Sequence, residues 1–424
     1  MTIIDTIIIG AGPTGLSAAY QLNKLGKDFV LFERTNKIGG LCGTFGDSII
    51  FDKTSHIFFS KDPEILKLVN VFDLNIYNRR AVVNVNKYLI PFPVQNNIGS
   101  FPDEIKIQIL KEVCSLKNKK SNNYKDHLIN TFGKTLFSTV LKDYNSKVWN
   151  YDLSKMGTYW FDGRICLLTM EQILNSMINK KSWGPNSIFY YPVGSFFNRL
   201  FTPLIKDIPS DRILFNTVIT NIDLVNKKVV VNNKHEFKYN NLISTMPLVS
   251  LCKMLKLKCD FPYTDVINDA ISVKLDSPVD HKFHWMYYSN PKFPYYRIFN
   301  LSSVNTSISN TELRFLCEIS FKDNSVPSHN VEALLGQILY DFGIMQPYEV
   351  KIVNSYHVKY AYPIPIIGLE KRVKKILDFL DSKNIYSRGR FGAWSYKYGN
   401  TDHAIRYGLD VANRIAENKK ESLV

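Results

Sequence analysis

The sequence has 424 residues, of which 45% are hydrophobic, and it carries a formal net charge of +15. This length predicts two or three structural units with a sizeable core, and the lack of any run of about 18 apolar residues predicts no membrane insertion. No basic run with interleaved aromatic residues indicates nucleic acid, so the charge reflects either a lysine-rich surface or attraction of an anionic ligand.

The first 33 residues predict a strand, a turn, a helix and a second strand. Ile7-Ile8-Ile9 is a continuous apolar run, which is typical of a buried parallel strand. The turn from Gly10 to Gly15 follows, then a helical stretch from Leu16 to Leu25 and a strand from Phe29 to Phe32. This order is how a Rossmann-like α/β domain begins.

The rest of the chain changes its hydrophobic period several times. Short strands are predicted within 80–93, helices over 103–180, strands over 212–245, strand-like segments over 265–360, a strand at 385–387 and a helix at about 402–417. We therefore predict an α/β fold in which a Rossmann-like domain carries an inserted helical domain and an antiparallel β-sheet domain.

The glycines of the first turn predict a dinucleotide site. Gly10, Gly12 and Gly15 form a Gly-x-Gly-x-x-Gly between a strand and a helix, and Glu33 ends the next strand. Gly10 allows the tight turn, Gly12 lets the backbone approach a pyrophosphate, and Gly15 permits close packing of the helix on the sheet. The helix N-terminus attracts the phosphates, and Glu33 can accept hydrogen bonds from an adenosine ribose.

A second motif favours FAD over NAD. Arg34 and Gly39-Gly40 continue Glu33 in a pattern that resembles the flavin-binding signature of the amine oxidase and protoporphyrinogen oxidase superfamily. The resemblance implies FAD as cofactor. We assign 1–79, 184–256 and 366–424 to the FAD-binding domain, 98–183 to the helical insertion, and 80–97 with 257–365 to an antiparallel sheet domain for substrate.

Segments downstream resemble the larger, eukaryotic-type branch of the UDP-galactopyranose mutases over nearly the whole chain. They are Ile90–Asn97, Tyr144–Trp149, Gly163-Arg164, Trp183–Asn186, Tyr295–Arg297, Tyr360–Pro363, Ser387–Tyr396 and Gly399–His403. The resemblance implies an FAD-dependent mutase that interconverts pyranose and furanose forms of a UDP-sugar, with UDP-galactose as first candidate. In that family, N5 of reduced flavin forms a covalent adduct with the anomeric carbon, without net oxidation.

The resemblance also implies roles for single residues. Arg164 and Arg297 would bind the diphosphate from opposite sides, a task that suits the planar, always charged guanidinium. The other implied residues are Tyr287, Tyr362 and Tyr396 as hydroxyl donors, Phe92, Gln95 and Trp149 at the nucleoside, Asn145, Asn186 and Phe59 at the substrate, His56 near the flavin, and Arg390, Asn400 and Thr401 at the cofactor. Taken singly, any of these arginines or tyrosines is as well explained by the surface or the core.

The sequence departs from the family at four places. Thr54-Ser55 precedes His56 where the family has two glycines, which puts a redox-linked movement of that loop in question. Val193–Phe196 keeps little of a glycine-rich stretch, Thr401 replaces a longer amide residue, and Phe92 stands where tyrosine is common. None of these changes removes the two arginines.

Other interpretations stay open. The chain could act on another nucleotide sugar, be an amine oxidase-type oxidoreductase, or bind nucleotide sugars without catalysis. NAD(P)H is a candidate reductant, no metal site is predicted, and the oligomeric state is open. The six cysteines show no zinc or Cys-x-x-Cys spacing and no signal peptide is recognisable, so we expect reduced thiols and a cytoplasmic location.

Overall fold

The computed structural model describes residues 3–70, 73–86, 88–116, 121–161, 164–165, 167, 169–178, 184, 186–322 and 325–423. Gly163, Cys166, Trp183 and Pro185, which belong to segments discussed above, lie outside these residues.

The strands are β1 Ile3–Ile9, β2 Phe29–Phe32, β3 Thr44–Phe45, β4 Phe51–Asp52, β5 Leu74–Asn78, β6 Ala81–Val85, β7 Tyr88–Pro91, β8 Ile188–Pro192, β9 Ile213–Leu214, β10 Ile219–Asp223, β11 Lys228–Val231, β12 His235–Ser244, β13 Tyr263–Leu275, β14 Trp285–Tyr288, β15 Arg297–Asn300, β16 Glu312–Phe321, β17 Tyr348–Pro363 and β18 Ile385–Ser387.

The helices are α1 Pro13–Lys24, α2 Pro63–Leu68, α3 Asp103–Ser115, α4 Tyr124–Phe132, α5 Lys134–Leu136, α6 Lys142–Trp149, α7 Met170–Met177, α8 Thr202–Ile205, α9 Leu248–Met254, α10 Val331–Asp341, α11 Leu369–Asp381, α12 Gly389–Gly392 and α13 Thr401–Glu417. Within the described residues, no helix is long and apolar enough to cross a membrane.

The first sheet forms the Rossmann-like part. Its order is β10-β11-β12-β1-β2-β9, and β18 joins it beside β12. β1 pairs in parallel with β2 and β12, and Ile7 and Ile8 are fully buried, as the continuous apolar run predicts. The helix α1 begins at Pro13, whose fixed φ suits the first turn of a helix, three residues before the predicted start.

The second sheet has the order β17-β13-β16-β15-β14-β6-β7. Strands from residues 81–91 therefore pair into the same sheet as those from 263–363. The prediction of an antiparallel sheet is wrong at one junction, because β6 and β14 run parallel. These strands come from distant parts of the chain, and no hairpin connects them to impose the antiparallel direction.

The helical segment lies between β7 and β8. Ile109, Leu128 and Phe132 are almost completely buried, so α3 and α4 turn apolar faces to a shared core. A π-helical segment, Phe137–Leu141, joins α5 to α6. The predicted fold class, a Rossmann-like domain with helices and a second multi-stranded sheet, is confirmed, while the exact domain boundaries stay a prediction.

The expectation that all six cysteines are reduced is wrong for one pair, because Cys252 and Cys259 form a disulfide. After α9 ends, Lys256 takes a left-handed φ of +55° and Leu257 N–H donates to the Cys252 carbonyl. This turn brings the two Cα atoms to 6.0 Å, within the usual range for a disulfide. Cys42, Cys114 and Cys317 are free thiols.

Candidate functional site

The glycine-rich turn after β1 has the close approaches that its sequence predicts. Gly10 has a φ of +98°, which favours glycine, and a Cβ on Gly15 would collide with the Gly10 carbonyl oxygen. A Cβ on Gly10 would collide with the Thr245 hydroxyl beyond the end of β12. The turn therefore presents its backbone at the start of α1, which suits a pyrophosphate.

A second glycine turn packs against the first. Gly39 N–H donates to the Ala11 carbonyl at 2.8 Å, and a Cβ on Gly40 would lie only 3.2 Å from Gly12 Cα. Gly39 and Gly40 have φ angles of +102° and +57°. The two glycine segments thus form one backbone cradle that side chains would fill.

Glu33 lies at the end of β2 and is buried. Its Oε2 accepts from Ala11 N–H at 2.7 Å, and its Oε1 accepts from the backbone and hydroxyl of Thr35. A carboxylate offers about four acceptor positions, so these contacts leave room for a ribose hydroxyl. They also show a structural task for Glu33 that the sequence does not indicate, which is to hold the glycine-rich turn. Arg34, the next residue, is exposed.

The N-terminus of α13 adjoins the second glycine turn. Cys42 is the last residue of that turn. Its thiol hydrogen-bonds with Thr401, the first residue of α13. Burial raises the pKa of the Cys42 thiol to about 12, so the thiol is neutral. Asn400 N–H donates to His403 Nδ1 and begins the helix. The positive end of the helix dipole therefore lies beside the second glycine turn, which suits an anionic ligand.

Arg390 lies close to this helix end. Nη1 donates to the Gly399 carbonyl at 3.1 Å and Nη2 to the Ala361 carbonyl at 2.9 Å, whereas the buried Nε has no partner among the residues described. None of these acceptors is charged. An unneutralised guanidinium with an unused N–H fits an anionic ligand, so the glycine cradle, the helix end and Arg390 together fit FAD.

His56 stacks on Phe197 with ring centroids 5.3 Å apart, and its Nδ1 lies 2.6 Å from the Thr54 hydroxyl. Burial, helped by the charges of Arg390 and Arg297, lowers the pKa of His56 to about 4. The imidazole is therefore neutral at physiological pH. The influence of both arginines indicates that His56 lies near Arg390 and Arg297.

Among the described residues, the acceptors that hold Arg164 are all neutral. Its Nε donates to the Lys397 carbonyl at 2.9 Å, Nη2 to the Tyr396 carbonyl at 2.7 Å, and Nη1 to Asn400 Oδ1 at 2.6 Å. The guanidinium lies over the Tyr396 ring at 5.1 Å. Burial lowers the pKa of Arg164 to about 10, so the side chain keeps its charge at neutral pH without a carboxylate partner.

Arg297 has a different environment. Its Nε and Nη2 donate to the two oxygens of Glu318 at 2.9 and 2.7 Å. Burial alone would lower the pKa of Arg297, but the Glu318 carboxylate raises it well above its usual value. Nη1 forms no hydrogen bond within the described part of the chain, so its two N–H groups are available to a ligand.

An aromatic cluster connects the two arginines. Trp149 contacts Tyr396 and Tyr362 with ring centroids at 4.7 and 5.9 Å. The Tyr362 hydroxyl lies 2.9 Å from that of Tyr296, which donates to Glu318. The structure therefore brings Arg164, through Tyr396 and Tyr362, into one constellation with the Arg297–Glu318 pair.

The predicted nucleoside residues adjoin this cluster from the β7 side. Phe92 and Tyr287 have ring centroids 4.9 Å apart, and Tyr144 meets Tyr287 edge to face at 5.4 Å. Burial raises the pKa of Tyr362 to about 12, so that tyrosine stays a hydroxyl donor. Aromatic surface thus continues from Phe92 to Tyr396.

The remaining predicted residues are less clearly connected. Asn145 is buried, accepts from the Tyr124 hydroxyl and donates to the Leu141 carbonyl, so its amide serves the helical segment. Gln95 is buried after β7, Phe59 is half-buried, and Asn186 is exposed with a φ of +57°. Contacts to substrate from these residues stay predictions.

Sequence reasoning did not assign two further residues. Glu318 is an acidic residue within the buried run Phe315–Phe321 of strand β16, and that anomaly could have identified it as a partner of a buried cation. Lys147 donates to the carbonyls of Tyr288, Asn290 and Tyr295 at 3.0, 3.1 and 2.6 Å. It thereby ties α6 to the turn that carries Tyr287 on one side and Arg297 on the other. Burial lowers the pKa of Lys147 to about 7.

Comparison with known proteins first identifies the N-terminal region. Residues 8–72 match the NAD(P)-binding Rossmann-like domain family. Over 67 residues the chain is 46% identical to thiamine thiazole synthase of Saccharolobus islandicus, which covers 16% of this chain and 24% of that protein. The chain therefore aligns with about a quarter of that relative, and the likeness concerns the dinucleotide-binding region.

Whole-chain similarity comes from solved structures. A putative protoporphyrinogen oxidase from Exiguobacterium sp. 255-15 has a TM-score of 0.74 at 12% identity, covering 99% of this chain and 100% of that one, which supports a common fold. A reduced UDP-galactopyranose mutase has a TM-score of 0.90 at 27% identity, covering 99% of this chain and 96% of the other. The resemblance to UDP-galactopyranose mutase is therefore confirmed for the whole fold.

Proposed function

We propose that this FAD-dependent enzyme interconverts the pyranose and furanose forms of a UDP-sugar, with UDP-galactose as first candidate. The observation that carries the proposal is the pair of guanidinium groups of Arg164 and Arg297 at one aromatic cluster. Within the part of the chain that the structure describes, Arg164 has neutral partners and Arg297 keeps Nη1 unused beside its carboxylate partner. A diphosphate supplies the missing anionic acceptors for both.

The available N–H groups support binding of a diphosphate. Each guanidinium has five N–H donors. On acceptors of the described residues, Arg164 uses three and Arg297 uses two, which leaves two and three for a ligand. Because both groups lie in a partly dehydrated site, their hydrogen bonds to phosphate oxygens are stronger than they are in water.

The proposed reaction requires stabilisation of a leaving diphosphate. Reduced FAD would supply N5 as the nucleophile toward the anomeric carbon, with no net oxidation. Arg164 and Arg297 would stabilise the negative charge that develops on UDP as it departs. Tyr362 would donate a hydrogen bond without changing charge, and neutral His56 would avoid adding a cation beside the sugar.

The charge of the site separates this proposal from an amine oxidase-type reaction. Arg164, Arg390 and Arg297 surround the cluster, and Glu318 is the carboxylate that pairs with one of them. A cationic amine would be repelled by this excess of positive charge, whereas an anionic nucleotide sugar would be attracted. The particular sugar, NAD(P)H as reductant and a cytoplasmic location stay predictions, and the Cys252–Cys259 disulfide removes reduced thiols as support for that location.

The test is to incubate the purified protein with UDP-galactofuranose, with and without dithionite, and to separate the products by HPLC. We expect UDP-galactopyranose to form only when the flavin is reduced. A parallel reaction with putrescine under air monitors hydrogen peroxide. Peroxide release from the amine without sugar conversion would replace the proposal by an oxidase function.

A further inference from the structure

A row of side chains crosses the second sheet through the candidate site. Strand pairing sets Tyr287 opposite Arg297, Arg297 opposite Glu318, Glu318 opposite Asn268, and Asn268 opposite Tyr356. Residues directly opposite each other in antiparallel strands point to the same face of a sheet. Asn268 therefore shares its face with the Arg297–Glu318 pair and lies one strand beyond it.

The amide of Asn268 has no hydrogen-bond partner among the residues that the structure describes. The residue is fully buried, and neither Nδ2 nor Oδ1 is bonded within the part of the chain that the structure describes. The neighbouring Glu318 carboxylate is engaged by Arg297 and Tyr296 instead. The hydroxyl of Ser320, two residues along the same strand face, also lacks a partner. A buried amide with both functions unused costs folding free energy, which indicates that something else satisfies it.

The surroundings of Asn268 locate the partner. Tyr356, its cross-strand neighbour, packs in one apolar cluster with Leu41 of the second glycine turn. The Tyr356 ring lies 5.1 Å from that of Phe45 and has Lys53 Nζ at 5.5 Å. Asn268 thus lies between the Arg297–Glu318 pair on one side and the predicted cofactor loop on the other.

We propose that Asn268 binds a hydroxyl-bearing carbon chain, donating through Nδ2 and accepting through Oδ1. A hydroxyl both donates and accepts, so two neighbouring hydroxyls use both functions of the amide. Two ligands carry such hydroxyl groups and are candidates for this contact: the sugar of the nucleotide-sugar substrate and the ribityl chain of FAD. The sugar source rests on the proposed function, whereas the ribityl source requires only the cofactor.

The test replaces Asn268 by leucine, which has a similar branched shape but is larger and has no polar group, and by serine, which keeps one hydroxyl in a smaller side chain. FAD content, the Kd of UDP and the Kd of UDP-galactose are measured on the flavin-loaded protein. If Asn268 contacts the sugar, Asn268→Leu weakens UDP-galactose binding about tenfold or more, the loss of a hydrogen-bonded pair, while UDP affinity and FAD content are unchanged. If it contacts the ribityl chain, FAD dissociates about tenfold more readily and the ratio of the two nucleotide affinities is unchanged.

Ser272→Ala is the matched control, because Ser272 lies on the same strand and face but donates to Glu312 at 2.7 Å. We expect it to change neither FAD content nor nucleotide affinity. The inference is overturned if both folded Asn268 variants keep FAD, UDP and UDP-galactose affinities within twofold of wild type. A wild type that binds FAD but no nucleotide sugar refutes the proposed function, and the Asn268 inference is then decided by FAD dissociation alone.

Discussion

Replacement of Arg297 by alanine should weaken UDP binding. The loss of affinity should be larger than any decrease in the amount of folded protein explains. The substitution removes the N–H groups of Nη1 that are available to a phosphate. A hydrogen bond to a charged group contributes about 1.5–3 kcal/mol, so loss of one such bond, about 2–3 kcal/mol, raises the Kd of UDP about 30- to 150-fold. FAD should remain bound, because the cofactor cradle is formed by residues of the first sheet and α13.

The same substitution also affects stability, because Glu318 is 2% exposed. Without Arg297, its carboxylate keeps the Tyr296 hydroxyl as a donor but loses its counter-charge. Breaking such a buried pair costs about 3–5 kcal/mol of unfolding free energy, and the 24% exposure of Arg297 favours the lower end. A second variant is therefore needed to separate the two effects.

The double variant Arg297→Met/Glu318→Gln removes both charges. Compared with Arg297→Ala, it should recover most of the lost unfolding free energy without recovering UDP affinity. Glu318→Gln alone leaves Arg297 without its neutralising partner, so UDP should bind as tightly as wild type or more tightly. Titration calorimetry with UDP, urea unfolding and flavin absorbance give the three quantities. Equal UDP affinity in wild type and the double variant would refute the assigned role of Arg297.

Three further predictions concern neighbouring residues. Lys147→Met removes three hydrogen bonds to the turn before Arg297, so the KM for UDP-galactose should rise more than kcat falls; unchanged KM in steady-state assays would leave Lys147 a purely structural role. Arg164→Met should raise the Kd of UDP about tenfold or more while Arg164→Lys retains part of the affinity, and equal Kd values in calorimetry would remove Arg164 from the diphosphate site. For His56 the folded-state pKa of about 4 lies below the unfolded value near 6.5, so the unfolded chain binds the proton first. The unfolding free energy of the wild type, measured by urea unfolding, should therefore fall more than that of His56→Gln as pH decreases from 6.5 to 4. The same pH dependence in both proteins would contradict the buried, neutral imidazole.

Local patterns explain what the sequence predicted well. The glycine-rich turn, its flanking strands and α1 depend on residues within 33 positions of one another, and each glycine meets a nearby backbone or hydroxyl group. The helix α13 is equally local. The cofactor loop could therefore be recognised from spacing alone, and its depth of burial follows from the apolar strands on either side.

The sequence did not predict the features that depend on the register of strands distant in the chain. Glu318 meets Arg297 because β15 and β16 pair at that position, and Asn268 follows because β13 pairs with the other edge of β16. The Cys252–Cys259 disulfide depends on a left-handed residue at Lys256, where no glycine signals the turn. Periodicity gives the face of a strand but not its neighbour, so these contacts required the assembled sheet.

The central claim is that the site recognises a diphosphate through the guanidinium groups of Arg164 and Arg297. Comparing the affinities of uridine and UDP for the wild-type flavoprotein by calorimetry tests it most directly. We expect UDP to bind about 100-fold or more tightly than uridine, since charge-assisted hydrogen bonds from two arginines bind the diphosphate that uridine lacks. Equal affinities for uridine and UDP would contradict it.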